Sequence, residues 1–405
     1  MSASLQQPKV LIVGCGFPQL GLLRAARDLG VFVIGTDANP AAIGAAVCHE
    51  LHQVSTHDVD DVVACARRTR AEGITTCGSE VALATTARAA AILGLPFYGD
   101  PTTVERCQAK DQMREAYREG GAPIPAFAVA NSFEDVRVFV DRRGLPVVLK
   151  PSRGWGQRGV SKVELAAELL PAYRCAREAS SGASVVVEQF VEGREFSVNA
   201  YTLEGQTTVC SVTERVITQY PDPPGITFAE WYPSGLSPAD EALAVEAALA
   251  GIRALGIGRG PTYTQLRLGP DGPKLVETAF RLGGGLDPDV ALLASGVSLF
   301  RKILGVALGK PDWERAEVER ERYGGAIGKF LVGRPGRVVR IDGLEAARAL
   351  PGIVAAEVYV GLGASVFPLT DGSKRAGHVL AVGRDRAEAA ERAERAAGAI
   401  RIETE

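Results

Sequence analysis

Short strand and helix patterns alternate along the first hundred residues, and this alternation limits the fold more than any other feature of the sequence. Residues 9–14 (KVLIVG) and 32–36 (FVIGT) are short apolar runs, which are typical of buried parallel strands. Helices are predicted over 20–29, 58–72 and 81–93, and further strands over 74–77 and 96–98. Strands that alternate with helices at this spacing predict a doubly wound α/β domain.

The rest of the chain mixes strands and helices less regularly. A Gly/Pro-rich segment at 120–129 predicts a boundary, and from about residue 322 the pattern predicts a small α+β module. The predicted elements are two short helices within 100–122, strands over 146–151, 159–163 and 184–190, mainly strands over 196–277 with a helix at 239–255, a helical stretch at 290–308, strands near 326–331, 353–359 and 377–382, and a helix at 386–397. At roughly 150 residues per domain, this length predicts two to four domains.

Charge, hydropathy and the rarer residues exclude several classes of protein. The net charge of −3 gives no basic excess for nucleic-acid binding, and no apolar run is long enough to predict a membrane span. The first nine residues lack the apolar segment of a signal peptide, and the seven cysteines show no CxxC spacing, so reduced thiols and a cytoplasmic location are expected. With only four histidines, a mechanism centred on histidine is disfavoured.

The first glycine motif, GCGFPQLG at 14–21, follows a strand and opens a helix, as a dinucleotide fingerprint does. Asp37 lies about twenty residues further on. The third glycine of the fingerprint is missing, however, because Gln19 occupies its position. Many α/β domains need a glycine turn here without binding a dinucleotide, so a nicotinamide cofactor is disfavoured.

A second glycine-rich loop is a stronger indication of a phosphate-binding site. Lys150 ends a predicted strand, and Gly154, Gly156 and Gly159 lie in the loop before the chain returns as another strand. Glycines allow backbone N–H groups to approach phosphate oxygens, and lysine adds a positive charge. The loop lacks the GK[ST] ending of a Walker A motif. Taken alone, it is equally consistent with an ordinary glycine-rich hairpin and a solvated lysine.

The next segment, VVVEQFVEGREFSV, places Glu188 and Glu195 seven residues apart, with Gly193 at a turn between them. Backbone groups beside Glu188 are suited to the edge of an adenine, and the Glu195 carboxylate is suited to ribose hydroxyls. The alternative is an acidic surface hairpin, which fits Glu192 better than Glu195 because Glu195 precedes the apolar Phe196.

A predicted hairpin then carries Gln265 and Glu277 on two strands joined by a PDGP turn at 270–273. Oxygen ligands on neighbouring strands suit Mg²⁺ that arrives with nucleotide phosphates. Arg281 precedes three consecutive glycines and is suited to clamp a carboxylate or phosphate through two hydrogen bonds. A lone Glu/Arg pair near a turn is usually a surface ion pair. This motif therefore indicates a binding site only in combination with the other motifs described above.

Taken in order and spacing, these motifs together with Lys110 resemble the ATP-grasp superfamily over residues 9 to about 308. The segments 329–354 and 372–389 resemble the last domain of the L-amino-acid ligases within that superfamily. The resemblance implies a fold that combines α/β and α+β parts in four regions: a doubly wound pre-ATP-grasp domain at 1–112, a small nucleotide-binding lobe at 113–192, a large catalytic lobe at 193–321 and a C-terminal module at 322–405.

The resemblance also implies an ADP-forming carboxylate–amine ligase that uses ATP with Mg²⁺ or Mn²⁺, acts on a small-molecule carboxylate and an amine, and forms an amide through an acyl phosphate. A homodimer is left open. By resemblance, Lys150 and Arg281 are catalytic, Gln265 and Glu277 bind metal, and Glu230, Arg281 and Gly284 contact substrate. The residues implied for the nucleotide are Lys110, Lys150, Ser152, Gly154, Gly156, Gly159, Glu188, Phe190, Val191 and Glu195.

Three positions depart from the family pattern. Ala279 replaces the asparagine of the E-x-N-x-R metal motif, and the neutral Gln265 stands where an acidic ligand is commoner. Glu230 occupies a position, two residues before an aromatic–proline pair, where amino-acid ligases often have histidine. Two alternatives therefore stay open: a carboxylase or formyl-group ligase acting on a purine precursor, and a nucleotide-binding protein without catalysis.

Overall fold

The structure is a computed structural model that describes residues 7–405 except 155, 157, 182, 218–225 and 318–320. Its strands form four sheets. One parallel sheet belongs to the N-terminal region, one antiparallel sheet follows it, an eight-stranded sheet runs through the middle and C-terminal regions, and a small three-stranded sheet completes the C-terminal region.

The N-terminal region is the predicted doubly wound α/β domain, with parallel strands in the order β3-β2-β1-β4. Buried apolar side chains on both faces of β1, such as Leu11 and Ile12, explain why its sequence is a continuous apolar run. The elements are β1 (Lys9–Val13), α1 (Phe17–Asp28), β2 (Phe32–Thr36), β3 (Glu50–His52), α2 (Val59–Thr69), β4 (Gly73–Thr75) and α3 (Glu80–Leu93).

The strand predicted over 96–98 is wrong. These residues form no strand, because Tyr98 packs into the core against Phe280 with ring centroids 5.6 Å apart. The two predicted short helices follow as α4 (Pro101–Gln108) and α5 (Lys110–Glu119). Pro101 and the Asp100 side chain, which accepts a hydrogen bond from the Thr103 N–H, explain where α4 begins.

The second sheet has the antiparallel order β5-β8-β6-β7 and packs against two helices. It brings the end of β6 beside β8, with Val148 directly opposite Glu188. Its elements are β5 (Phe127–Ala130), α6 (Phe133–Arg143), β6 (Val147–Pro151), β7 (Ser161–Val163), α7 (Leu169–Ala179) and β8 (Val185–Gln189).

The eight-stranded sheet begins with long antiparallel strands. The predicted hairpin around the PDGP turn is present, and it places Gln265 opposite Glu277. The elements are β9 (Arg194–Leu203), β10 (Gln206–Ile217), β11 (Thr227–Tyr232), α8 (Pro238–Ala254), β12 (Gly260–Gly269) and β13 (Gly272–Ala279).

The helical stretch predicted over 290–308 is two helices, α9 (Asp287–Ser295) and α10 (Leu299–Ala307). The break falls at Gly296, whose φ of +75° suits glycine at the end of a helix. No single helix in the described part of the chain is long and apolar enough to cross a membrane, and the α9–α10 pair, which passes that test only when joined, is bent by 106°. The short helix α11 (Pro311–Arg315) follows.

The C-terminal region continues the eight-stranded sheet, whose full order is β13-β12-β9-β10-β11-β14-β18-β16. Strand β14 pairs with β11 on one side and β18 on the other. The elements are β14 (Gly325–Leu331), β15 (Gly336–Asp342), α12 (Leu344–Arg348), β16 (Ile353–Val358), β17 (Ser365–Val366), β18 (Gly377–Gly383), α13 (Arg386–Ala399) and β19 (Arg401–Thr404). The segment between β17 and β18, here the C-terminal loop (residues 367–376), returns toward the middle of the molecule.

Candidate active site

A cavity of about 360 Å³ lies where these regions meet. Residues from β6, β8, β12, β13, the loop after β13 and the C-terminal loop line it. It brings together all of the predicted site residues except Ser152 and Gly159. One enclosed space therefore joins the glycine-rich loop, the Gln265/Glu277 hairpin and Arg281.

The first charged group in the cavity is the Lys150 cluster, defined as Arg114, Lys150 and Glu188. Glu188 accepts a hydrogen bond from Arg114 Nε at 2.8 Å and forms an ion pair with Lys150 Nζ. The side chains of Arg114 and Glu188 are each 3% exposed. Burial opposes ionisation of Glu188, but Arg114 and Lys150 outweigh it and hold the pKa of this carboxyl below its usual value. The Glu188 carboxylate thus fixes the position of the lysine.

Lys110 holds the glycine-rich loop. Its backbone N–H donates to the Ser152 carbonyl at 2.8 Å, and its Nζ donates to the Gly154 carbonyl at 2.6 Å. Gly154 and Gly156 have φ values of +150° and +68°, which other residues rarely adopt. Trp155 and Gln157 of the same predicted loop lie outside the described residues.

The structure does not place Ser152 and Gly159 at the cavity. Ser152 is buried, and its hydroxyl lies 3.4 Å from the Ser180 hydroxyl. Gly159 packs against α7, where a Cβ atom would come within 2.4 Å of the Ala179 Cβ. Both residues support the loop from behind, and nothing in their surroundings gives them direct contact with a nucleotide in the cavity.

Glu195 lies between two arginines. It accepts hydrogen bonds from Arg215 Nη1 at 2.7 Å and from Arg267 Nε at 2.9 Å. Arg267 also donates to the Val191 carbonyl at 3.0 Å, and its guanidinium lies 4.8 Å from the centre of the Phe190 ring. Phe190, Val191 and Glu195 therefore line a single edge of the cavity.

The predicted metal residues face the cavity from paired strands. Gln265 and Glu277 are direct cross-strand neighbours, and Ala279 lies two residues beyond Glu277 on the same face of β13. Gln265 Oε1 already accepts a hydrogen bond from Arg215 at 3.0 Å. Across the described part of the chain, no group of three or more His, Cys, Asp or Glu residues is arranged to hold a metal. One carboxylate and one amide oxygen fit Mg²⁺ that shares phosphate ligands, and do not form a metal cage by themselves.

Arg281 lies opposite the buried Glu80, with Nε 2.8 Å from Glu80 Oε1. Burial raises the pKa of the Glu80 carboxyl, although Arg281 opposes this shift. The following glycines allow a close approach of two loops, because a Cβ atom on Gly284 would come within 2.8 Å of the Gly78 carbonyl oxygen. Residues of the N-terminal domain thus help to position Arg281, which itself follows β13.

The second charged group is the Glu230 cluster, defined as Arg215, Glu230, Asp287 and Arg375. Glu230 and Asp287 are each 2% exposed, and their carboxyl groups lie side by side next to Gly285. Burial and the neighbouring Asp287 raise the pKa of Glu230 well above its usual value, against the opposing effect of Arg375 and Arg215. Arg375 comes from the C-terminal loop, donates to the Thr227 carbonyl at 2.7 Å and stacks 3.5 Å above the Phe330 ring.

Residues 143–289 match the ATP-grasp domain family, and residues 329–405 match the family described as L-amino acid ligase C-terminal domain 2. The chain contains an ATP-grasp domain. The resemblance predicted from the motifs is confirmed, both for the ATP-grasp domain and for the C-terminal region of the L-amino acid ligase type.

Several individual proteins are similar to this chain. An uncharacterized protein of Sinorhizobium fredii is 31% identical over 299 residues, which cover 72% of this chain and 60% of that protein. A formate-dependent phosphoribosylglycinamide formyltransferase of Geobacter metallireducens is 28% identical over 406 residues, covering 98% of this chain and 97% of the relative. The crystal structure of L-amino acid ligase from Bacillus licheniformis superposes with a TM-score of 0.81 at 23% identity, covering 99% of this chain and all of that one, which shows a common fold.

Several cavity residues escape prediction from the sequence. They are Glu80, Arg114, Arg215, Asp287 and Arg375. Glu80 follows the helix-capping Ser79, and Asp287 and Arg375 follow turns, so each resembles an ordinary surface residue in the sequence. Arg215 carries a weak signal, because at the end of β10 it is buried like Thr213, whereas Glu214 and Val216 are half-buried.

Proposed function

We propose that this protein is an ATP-dependent ligase that joins the carboxylate of one amino acid to the amine of another. The observation that carries the proposal is the single cavity, which places Lys150 and the glycine-rich loop beside Glu277, Arg281 and Arg375. Arg375 belongs to the region that matches the L-amino acid ligases. A region of the amino-acid-ligase type thereby supplies a charged side chain to the cavity.

The proposed reaction has two steps. In the first, a carboxylate oxygen of one substrate attacks the γ-phosphorus of ATP, and the bond from that phosphorus to the oxygen of ADP breaks. In the second, the nitrogen of an amine attacks the carbonyl carbon of the acyl phosphate, inorganic phosphate leaves, and the nitrogen loses a proton. Both steps need positioning and neutralisation of negative charge more than covalent chemistry from the protein.

The side chains divide these tasks. Lys150, fixed by Glu188, and the backbone of the glycine-rich loop, held by Lys110, neutralise and orient the phosphates. Gln265 and Glu277 are suited to hold Mg²⁺, which supplies further positive charge to phosphate oxygens when it is bound. Arg281 is suited to hold the substrate carboxylate or the acyl phosphate through its planar guanidinium.

The test is a screen for ADP release over pairs of amino acids, with mass spectrometry of the products. We expect ADP to form only when a suitable pair is present, together with a product whose mass equals the two amino acids minus water. Lys150→Ala should abolish this reaction while the protein remains folded by circular dichroism. If ATP binds but no pair in a broad panel of acids and amines releases ADP, the protein is a nucleotide-binding protein without ligase activity.

A second candidate is a formyl-group ligase acting on a purine precursor. It is favoured by one observation, the match to the phosphoribosylglycinamide formyltransferase over 98% of this chain. The same assay separates the two functions if formate and phosphoribosylglycinamide replace the amino acids. ADP release that depends on formate would favour this candidate over the amino-acid ligase.

A further inference from the structure

The Glu230 cluster contains two adjacent carboxyl groups, one on Glu230 and one on Asp287. Glu230 lies on β11 and Asp287 at the start of α9, and both line the cavity. Their carboxyl groups lie side by side next to Gly285, where a Cβ atom would come within 2.6 Å of Glu230 Oε1 and 3.5 Å of Asp287 Oδ2. Asp287 Oδ1 also accepts a hydrogen bond from the Ser197 hydroxyl at 3.0 Å. Two adjacent carboxyl groups oppose each other's ionisation, and burial with Asp287 raises the pKa of Glu230 well above its usual value.

Charged and titratable groups reach this pair from three other elements. Arg215 approaches from β10, Tyr263 from β12 and Arg375 from the C-terminal loop. Among the described residues, Glu230 Oε2 and Arg215 Nε have no hydrogen-bond partner, although both atoms are buried. Buried polar atoms are seldom left unpaired in a folded protein, so their position at the cavity indicates that a polar ligand completes the group.

The other acidic side chains at the cavity have different tasks. Glu80, Glu188 and Glu195 are paired with arginine or lysine, and Glu277 faces the proposed metal. The Asp371 carboxylate accepts hydrogen bonds from Ser373. None of the described residues that line the cavity is a histidine. Glu230 with its partner Asp287 is the remaining group that is able to accept a proton.

We propose that the Glu230–Asp287 pair is the base that takes the proton from the attacking amine. The proposal rests on the ligase function proposed above. The amine enters as an ammonium group and gives one proton to the ionised carboxylate of the pair. Its free electron pair then attacks the carbonyl carbon of the acyl phosphate, the bond from that carbon to the phosphate oxygen breaks, and inorganic phosphate leaves. The nitrogen loses its second proton to the departing phosphate as the amide forms.

Arg215 and Arg375 make this role workable, because their positive charges oppose the effect of burial on Glu230 and favour its ionised form. The raised pKa of Glu230 gives it the affinity for a proton that a base acting on an ammonium group needs. Asp287 acts as a positioning residue in this arrangement. The serine hydroxyl that donates to Asp287 and the glycine at 285, where a Cβ atom would come within 2.6 Å of Glu230 Oε1, hold the pair in place.

The test measures the reaction of the Glu230→Gln variant and of the wild type with two different nucleophiles. The first is the amine of the best amino-acid pair found in the screen, and the second is hydroxylamine, whose nitrogen is uncharged at neutral pH and needs no base before it attacks. We expect Glu230→Gln to lower amide formation by about 10²- to 10⁴-fold, the usual contribution of general base catalysis, and to leave hydroxamate formation close to the wild-type rate. The exposed Glu192→Gln is the matched control and should change neither rate.

The pH dependence adds a second readout. Amide formation by Glu230→Gln should rise with pH as more free amine becomes available, whereas the wild-type rate should change less over the same range. Asp287→Asn should show the same pattern with a smaller loss, which keeps the test usable if one variant does not fold.

The outcomes separate the two proposals. If the wild-type protein forms neither hydroxamate nor amide with any acid, the ligase function fails. If the wild type is active and Glu230→Gln forms amide at the wild-type rate, the ligase function stands and the base assignment is overturned. Equal loss of amide and hydroxamate in a folded Glu230→Gln protein also overturns it, because Glu230 then acts before the amine attacks.

Discussion

The two charged clusters of the cavity hold buried glutamates in opposite states. In the Lys150 cluster, Glu188 lies between two cations, which keep its pKa below the usual value despite burial. In the Glu230 cluster, Glu230 lies against another carboxyl group, and its pKa is raised. The same residue type at similar burial therefore becomes either a fixed negative charge that orients a lysine or a group able to exchange a proton. The neighbours decide which.

The largest effect is expected in the Lys150 cluster. Glu188→Ala should lower the free energy of unfolding by about 3–5 kcal/mol, because Arg114 and Lys150 are left as buried charges without a counter-ion. Chemical denaturation measures the change. The exposed Glu192→Ala should stay within about 0.5 kcal/mol of the wild type. A loss below about 1 kcal/mol for Glu188→Ala would show that water reaches this cluster, and the contrast with the Glu230 cluster would disappear.

The next prediction concerns Arg281, which lines the same cavity but belongs to neither cluster. Arg281→Lys keeps a positive charge near Glu80 but removes the two-pronged guanidinium, so turnover should fall on the order of 100-fold, as when one transition-state donor is lost. Stability should change little. The exposed Arg253→Lys on α8 serves as the control for the same substitution, and wild-type turnover in Arg281→Lys would remove Arg281 from the proposed mechanism.

A smaller effect is expected at Glu277. Glu277→Gln replaces the only carboxylate of the proposed metal pair, so the Mg²⁺ concentration for half-maximal activity should rise by about tenfold or more. Titration of ADP release against Mg²⁺ measures this. Ala279→Asn provides the opposite change, because it adds an amide oxygen on the same strand face and should lower the Mg²⁺ requirement. An unchanged requirement in Glu277→Gln would contradict the metal assignment.

The smallest expected effect compares the two glutamates directly through pH. The folded pKa of Glu188 is lowered, so its contribution to stability is present above its unfolded pKa and is lost as the pH falls through the folded pKa. The folded pKa of Glu230 is raised, so its contribution is present below the unfolded pKa and is lost as the pH rises through the folded pKa.

Unfolding curves at a series of pH values should therefore diverge in opposite directions. Relative to wild type, Glu188→Gln should be most destabilised near neutral pH and less so in acid. Glu230→Gln should gain relative stability as the pH rises. If the stability difference from wild type changes with pH in the same direction for both variants, the proposed contrast between the two carboxyl groups is wrong.

Much of the fold follows from local patterns, and the failures occur where tertiary contacts decide. Strand β2 has the predicted limits because an apolar run between Gly30 and Asp37 leaves few alternatives. Phe97 and Tyr98, in the strand predicted over 96–98, pack their side chains into a core instead of pairing. The two-residue strand β17 exists only because β15 lies beside it.

The same distinction applies to the site. Lys150, Gln265 and Glu277 could be predicted because each lies beside a glycine-rich loop or a turn in a recognisable order. Arg114 could not, because its role depends on Glu188, which is 74 residues away in the sequence. Arg375 is further still from Glu230, and only the path of the eight-stranded sheet brings the C-terminal loop back to the cavity.

The pairing of β14 with β11 has a consequence for the exchange of segments between related proteins. Glu230 lies opposite Gly328, and a Cβ atom at 328 would come within 2.8 Å of the Leu286 Cβ. A chimaera that takes residues 325–405 from a relative must therefore keep glycine at this position, or the strand carrying Glu230 will lose its neighbour. An exchanged C-terminal segment therefore keeps the strand that carries Glu230 in place only when the contact between β11 and β14 is preserved.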